Sequence, residues 1–196
     1  MKLYYAPGTC SLAALIAAEE AGLALTLVPV DIRATPHQLA DGTDFRAINA
    51  KGYVPALELD DGDLLTEGVA ILQYIGGECS ERSTLDHYRQ IEWLTFVGTE
   101  LHKSFSPWLF HPEYGEQAAA VATARIADRF TYLDQHLQNS DYLLGSKFCG
   151  ADAYCFAIAR WAPGKGINLA EWPNLSAYLD RVQARPAVAA ALSHHG

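Results

Sequence analysis

The chain is poor in cysteine, and none of its cysteines is spaced to work with another. Cys10, Cys79, Cys149 and Cys155 include no C-x-x-C pair, which argues against a thioredoxin-type dithiol and a zinc ribbon. No metal is expected. With no export signal, a disulfide framework is not expected either. Redox work by one of these thiols would need a partner thiol from outside the chain. There is no basic run to follow a phosphate backbone, and the formal net charge is −9 over 196 residues, so nucleic acid is not an expected partner. No apolar stretch reaches the length of a membrane span. The first residues read as a strand rather than an apolar leader, so a cytoplasmic location is the expectation. Internal repeats and low-complexity tracts are absent.

Half of the residues are apolar and 19% are charged, ordinary values for a globular protein with a sizeable core. The two halves of the chain differ in their signals. Strand and helix alternate over residues 1–78. Residues 3–5 read as a strand, and 10–21 as an alanine-rich helix closed by Gly22. A second strand covers 25–30, followed by an irregular polar stretch over 31–49. Two short strands, 56–59 and 64–65, flank Asp60-Asp61-Gly62-Asp63, a hairpin signal. A helix then runs from Val69 to about Gly76. This is the β-α-β, β-β-α order of a thioredoxin-like domain. From about Ser83 only helical periodicity remains, over 87–109, 116–137, 151–161, 172–184 and 187–193. Residues 79–82 are expected to link a first domain, 1–78, to an all-helical domain, 83–196.

Four constellations could carry chemistry. Cys10 follows a Pro7-Gly8 turn and stands at a helix start, where N–H groups and the positive end of the helix dipole favour a thiolate. The same position also suits a small buried apolar residue. Val54-Pro55 precedes an apolar strand. With a cis bond, the Val54 backbone could face outward and pair with an extended peptide; a trans proline merely starting the strand is the more ordinary reading of this motif alone. Glu67-Gly68 opens a helix whose N–H groups suit a carboxylate, with Glu67 placed to receive an ammonium; a plain capped helix is the competing reading. On the first long helix of the second half, His102 and Lys103 could bring donors and charge towards a thiolate, or His102 could simply pack. Taken together, a thiol site, a backbone edge and an amino-acid headgroup site describe one ligand, a γ-linked thiol peptide such as glutathione.

Nearly end to end, the sequence resembles the bacterial beta-class glutathione S-transferases. The resemblance rests on residues 2–12, 41–45, 51–57, 65–74, 100–105 and 151–154. It implies a thioredoxin-like N-terminal domain followed by an all-helical glutathione transferase C-terminal domain, a homodimer, and glutathione as co-substrate with no metal. It also implies that Cys10 contacts the glutathione sulfur and can form a mixed disulfide with it. Val54 would pair with the cysteinyl backbone, and Glu67 and Gly68 would hold the γ-glutamyl headgroup. His102 and Lys103 would line the site, and Asp152 would belong to a helix-capping motif.

The chain departs from the family pattern in places. Where a lysine commonly meets the glycyl carboxylate, the stretch reads Arg33-Ala34-Thr35-Pro36-His37, so Arg33 or His37 is the candidate. Thr95 stands where relatives often carry asparagine. Cys149 opens the capping motif in place of Ser or Thr, and a thiol is a weak acceptor. Trp108 looks inserted in the segment facing the second substrate. The expected activity is addition of the glutathione thiolate to a hydrophobic electrophile bound near Phe105, Trp108 and Trp161, a detoxification chemistry, together with thiol–disulfide exchange through Cys10. A thiol reductase, a non-catalytic carrier of apolar ligands and an interaction module are the alternatives.

Overall fold

The computed structural model describes residues 1–77 and 84–195, so the expected linker and Cys79 lie outside the described residues. The described chain falls into two compact units. One holds everything up to residue 77 together with the last helix, and the other holds the helices between.

The first unit is built on a five-stranded sheet of order β3-β2-β1-β4-β5. Its strands are β1 (Lys2–Tyr5), β2 (Thr26–Asp31), β3 (Gln38–Leu39), β4 (Ala56–Glu58) and β5 (Leu64–Thr66). β1 and β2 run parallel, joined through helix α1 (Leu12–Ala21), and the other neighbours are antiparallel. This is the thioredoxin-like arrangement expected from the strand–helix order. The β4–β5 hairpin turns at Gly62, whose φ of 91° a side chain would resist. β3 is a two-residue strand within a stretch that reads as irregular. Beside it, Phe45 opens a 3-10 turn and is fully buried against Tyr4. One apolar residue thus anchors an otherwise polar segment.

Over Leu12 to Ala18 helix α1 is apolar on all sides, and all of these residues are buried. A helix with no polar face must be covered all round. Besides the sheet, it packs against α2 (Gly68–Gly77) and α8 (Pro186–His195). The sequence reading counted the last helix with the helical half, but its packing on α1 places it with the sheet. Gly22 ends α1 in the left-handed region (φ 66°), as its C-cap reading requires, and the Leu23 N–H returns to the Ala18 carbonyl.

The second unit is helical: α3 (Thr84–Phe96), α4 (Lys103–Phe105), α5 (Glu116–Leu137), α6 (Gly150–Ala159) and α7 (Pro173–Gln183). A π-helical segment, Val97–His102, joins α3 to α4. The predicted helix over 87–109 therefore stops short. Ser106 precedes Pro107, which pushes it into extended backbone (φ −108°, ψ 129°). α5 buries Ala122, Ile126, Phe130, Leu133 and Leu137, one stripe at helical spacing. Asp134 on α5 accepts from the Asn174 and Leu175 N–H groups, capping the N-terminus of α7 with negative charge.

Candidate active site

Cys10 lies in the turn between β1 and α1, two residues ahead of the first helical residue. Its carbonyl accepts from the Ala13 N–H, and that of Thr9 accepts from the Leu12 N–H. The turn therefore uses two of the donors that the sequence assigned to the thiol, leaving the positive end of the α1 dipole as the electrostatic contribution. The thiol is partly exposed and donates to the Val54 carbonyl at 3.9 Å. Cys10 and Val54 are 44 positions apart, so the sheet joins two of the predicted constellations in one place. The Val54–Pro55 bond is cis, and Val54 sits just before β4, outside the ladder.

Glu67 stands at the N-terminus of α2 and its carbonyl accepts from the Ile71 N–H. Among the described residues it is the one non-glycine with positive φ, at 69°, a conformation uncommon for side-chain-bearing residues. Its carboxylate is 2.5 Å from Lys51 Nζ, and Lys51 also donates to Thr66 Oγ1. The Tyr53 hydroxyl donates to the same carboxylate at 3.3 Å. Glu67 was expected to receive a ligand ammonium. In the structure it already holds one, from Lys51, a residue to which the sequence reading gave no role of its own. The carboxylate raises the Lys51 pKa through that hydrogen bond. The signal was present in the local charge pattern, because two oppositely charged residues flank a predicted hairpin.

Arg33 follows β2 on the exposed surface, where its N–H donates to Asp31 Oδ1. His37 Nδ1 is 2.7 Å from the Gly52 carbonyl. A carbonyl only accepts, so Nδ1 carries a proton and is already engaged with the main chain. Arg33, exposed and with a guanidinium that pairs well with carboxylates, is the better suited of the two candidates.

In the second unit, His102 ends the π-helical segment, the kind of helix irregularity that recurs at functional sites. Its Nδ1 is 2.8 Å from the Tyr154 hydroxyl on α6, and its ring meets Trp161 edge-on at 5.3 Å. Burial, with a smaller push from Lys103, lowers its pKa to about 4, so His102 is neutral at pH 7. The sequence reading, which grouped His102 with Lys103 as positive charge, is corrected by this burial; only Lys103, which is exposed, brings that charge. The Trp161 ring contacts those of both Phe105 and Phe110, and Lys165 Nζ lies 3.9 Å from the Phe110 ring centre. Trp108 is 42% exposed, with its ring against Tyr114.

The capping motif of α6 forms despite its thiol. Cys149 is the N-cap, its sulfur facing the Asp152 N–H, and Asp152 Oδ2 accepts from the Cys149 N–H at 2.8 Å. Asp152 Oδ1 accepts from the Leu143 N–H and from the Tyr178 hydroxyl, at 2.9 and 3.0 Å. Burial raises the Asp152 pKa to about 6 against the pull of these donors. Among the described residues, no group of three or more His, Cys, Asp or Glu could hold a metal ion, and no helix is long and apolar enough to cross a membrane.

Comparison with known proteins agrees with this geometry. Residues 8–78 match the family model of the glutathione S-transferase N-terminal domain, and residues 85–186 that of its C-terminal domain. Glutathione S-transferase GstA of Escherichia coli O157:H7 is 42% identical over 202 residues, an alignment covering all of this chain and 99% of the relative. Among solved structures, a ternary complex of BphK, a bacterial glutathione S-transferase, superposes with a TM-score of 0.93 at 40% identity, covering both chains in full. A sphingomonad glutathione S-transferase complexed with glutathione gives 0.94 at 39% identity, over 100% of this chain and 99% of that one. The beta-class enzyme of Sphingomonas chungbukensis gives 0.93 at 40%, over 100% and 99%. The fold is thus shared over the whole length, and the chain belongs to the glutathione S-transferase family, with bacterial beta-class proteins among its relatives.

Proposed function

We propose that the protein is a glutathione transferase that directs the glutathione thiolate onto hydrophobic electrophiles, with Cys10 able to exchange disulfides with the same ligand. The observation that carries this reading is the meeting of Cys10 with Val54 in one unit, 3.9 Å apart, with the Glu67 cluster at the N-terminus of α2. The cysteinyl backbone of glutathione pairs with Val54, placing its sulfur at Cys10. The γ-glutamyl carboxylate takes the N–H groups at the start of α2, which opens at Gly68. Its ammonium shares the Glu67 carboxylate with Lys51. Arg33 takes the glycyl carboxylate. The helical unit carries His102, Lys103 and the aromatic set of Phe105, Phe110 and Trp161, whose ring area suits an apolar electrophile of many shapes. A neutral His102 serves as a hydrogen-bond donor or acceptor rather than as a cation. In conjugation, the thiolate attacks an electrophilic carbon, the new C–S bond forms and the leaving group departs with the electron pair. In exchange, the Cys10 thiolate attacks one sulfur of a glutathione disulfide and releases glutathione thiolate, leaving the mixed disulfide. The working form is a cytoplasmic homodimer.

The test is mass spectrometry after incubation with oxidised glutathione, paired with conjugation kinetics on an aromatic electrophile, for the protein and for Cys10→Ala. A glutathione adduct that disappears in Cys10→Ala, with conjugation in the unsubstituted protein, is the expected result. Absence of both adduct and turnover would refute the reading.

A further inference from the structure

The turn that carries Cys10 is fastened by a residue far away in sequence. We propose that His195, on α8, is a positioning residue for Cys10: a neutral imidazole protonated at Nε2 that bridges Gly8 and Ser11 across the thiol. The inference rests on the reading of Cys10 as the sulfur end of the site.

The hydrogen bonds settle the tautomer. His195 is fully buried, and its Nδ1 lies 3.1 Å from the Gly8 backbone nitrogen. A backbone N–H can only donate, so Nδ1 is the bare acceptor and the ring proton sits on Nε2. Nε2 then donates to Ser11 Oγ at 3.2 Å. Ser11 is also fully buried, and its hydroxyl accepts a second bond from the Ala6 N–H. With both lone pairs used, the Ser11 hydroxyl donates, and it has Thr9 Oγ1 at 2.7 Å and the Ala6 carbonyl at 3.2 Å as acceptors, while the Thr9 hydroxyl donates to the same Ala6 carbonyl at 2.8 Å. The Ser11 N–H returns to Thr9 Oγ1. Each donor in the chain has an acceptor, and the order runs one way from Gly8 to Ala6.

Cys10 stands inside this ring of bonds, two residues after Gly8 and one before Ser11. The Ser11 side chain, which at an N-cap would ordinarily satisfy helix N–H groups, makes no such bond here; it serves the turn and His195 instead. α8 is held at the same end by the Tyr5 hydroxyl, which donates to the His194 carbonyl, and by ring contact between Tyr5 and His195. An apolar residue at 195 could fill the space on α1, but it would leave the Gly8 N–H without its acceptor and the Ser11 hydroxyl without a donor. A buried polar group left unpaired costs more than the bond itself contributes. The turn would recover partners by moving, and Cys10 would move with it.

The proposal predicts a set of results from the full-length protein, His195→Ala, His195→Gln and Ser11→Ala. In the unsubstituted protein, nitrogen NMR shifts report His195 protonated at Nε2. In His195→Ala, the Gly8 amide exchanges with solvent about tenfold faster, and Cys10 alkylation by iodoacetamide changes its rate by a similar factor. Conjugation falls in kcat/KM. His195→Gln returns most of each effect, because its carboxamide oxygen can accept from Gly8 and its NH2 can donate to Ser11. Ser11→Ala reproduces the alkylation change, and combining it with His195→Ala adds little. An Nδ1-protonated ring, or a folded His195→Ala with unchanged Gly8 exchange and Cys10 alkylation, would overturn the proposal. Should His195→Ala fail to fold, His195→Gln and Ser11→Ala decide: no rescue-like behaviour in the first and no alkylation change in the second would also overturn it. A protein that forms no glutathione adduct and turns over no electrophile refutes the functional reading instead, while the tautomer and exchange results still judge His195.

Discussion

The two units hold their candidate site residues by opposite means. In the first, Cys10, Val54 and Glu67 sit at the ends of strands and helices. The charged group among them is exposed and ion-paired: the Glu67 side chain is 55% exposed. In the second, the polar groups are buried and satisfied across long sequence separations. His102 meets Tyr154 52 positions away, and Asp152 meets Tyr178 26 positions away. An exposed ion pair contributes little to stability, whereas a buried acceptor that loses its role strands its donors. Substitution of the exposed Glu67 should therefore act mainly on ligand binding, and substitution of the buried Asp152 mainly on folding.

The largest effect should come from Asp152→Ala. It removes the shared acceptor of two backbone N–H groups and the Tyr178 hydroxyl, all buried. The expected loss is about 3–5 kcal/mol in urea unfolding. Glu67→Ala, an equal truncation on an exposed surface, should change unfolding by less than about 1 kcal/mol. Equal losses would break the contrast.

Acid exposes the same contrast within the second unit. His102 is held near 4, below the ordinary 6.5. Its unfolded form binds a proton first, so its contribution to stability is complete above pH 6.5. That contribution is lost as pH falls towards 4, by about 3 kcal/mol in total. Asp152 moves the other way, from 3.8 up to about 6. Its folded form binds a proton first, so its contribution is complete below pH 3.8 and is lost as pH rises through 6, by a similar amount. On acidification the two largely offset each other. His102→Gln removes one side of the pair. Relative to the unsubstituted protein it should gain up to about 3 kcal/mol between pH 7 and pH 4, read by chemical denaturation at several pH values. A constant difference across that range would mean that His102 is not buried as described.

Glu67→Gln should act on binding instead. It keeps the shape and removes the charge that holds Lys51 and, in the proposed site, the ligand ammonium. The glutathione KM should rise about tenfold with little change in unfolding. A loss confined to kcat would place Glu67 outside the headgroup site.

The contrast also explains what was legible in the sequence. Strand alternation, Gly22 and the Asp60-Asp61-Gly62-Asp63 turn act on neighbouring residues, so they predict β1, α1 and the hairpin within a residue or two. β3 was not legible, because two residues paired to an edge carry no period. Cys10 and Val54 could be named singly, and the resemblance joined them before the sheet did. Three things needed the fold: the Lys51 pairing, the burial that neutralises His102, and His195. Each depends on residues brought together by packing, and no periodicity reports that. Near Pro107 the chemistry was local and was simply under-weighted, since a residue before proline leaves helical backbone.

The smallest expected effect tests whether a departure from the family pattern has a physical cost. Cys149 caps α6 with sulfur, where the family resemblance leads one to expect a hydroxyl. The reciprocal bond, from the Cys149 N–H to Asp152, is made at 2.8 Å and does not depend on the side chain at 149. The other half does, because sulfur accepts weakly from the Asp152 N–H. Burial and the neighbouring Asp152 carboxylate raise the thiol pKa well above its ordinary value, so it stays neutral and gains no acceptor strength by ionising. Cys149→Ser restores an oxygen acceptor at an N-cap and should stabilise the helical unit by about 0.5–1 kcal/mol, read as a higher urea midpoint with unchanged slope. The hydroxyl also needs an acceptor for its own proton in a site that is 3% exposed. If that desolvation outweighs the stronger cap, the midpoint falls, and the thiol at 149 is the better fit to its surroundings rather than a weakened cap.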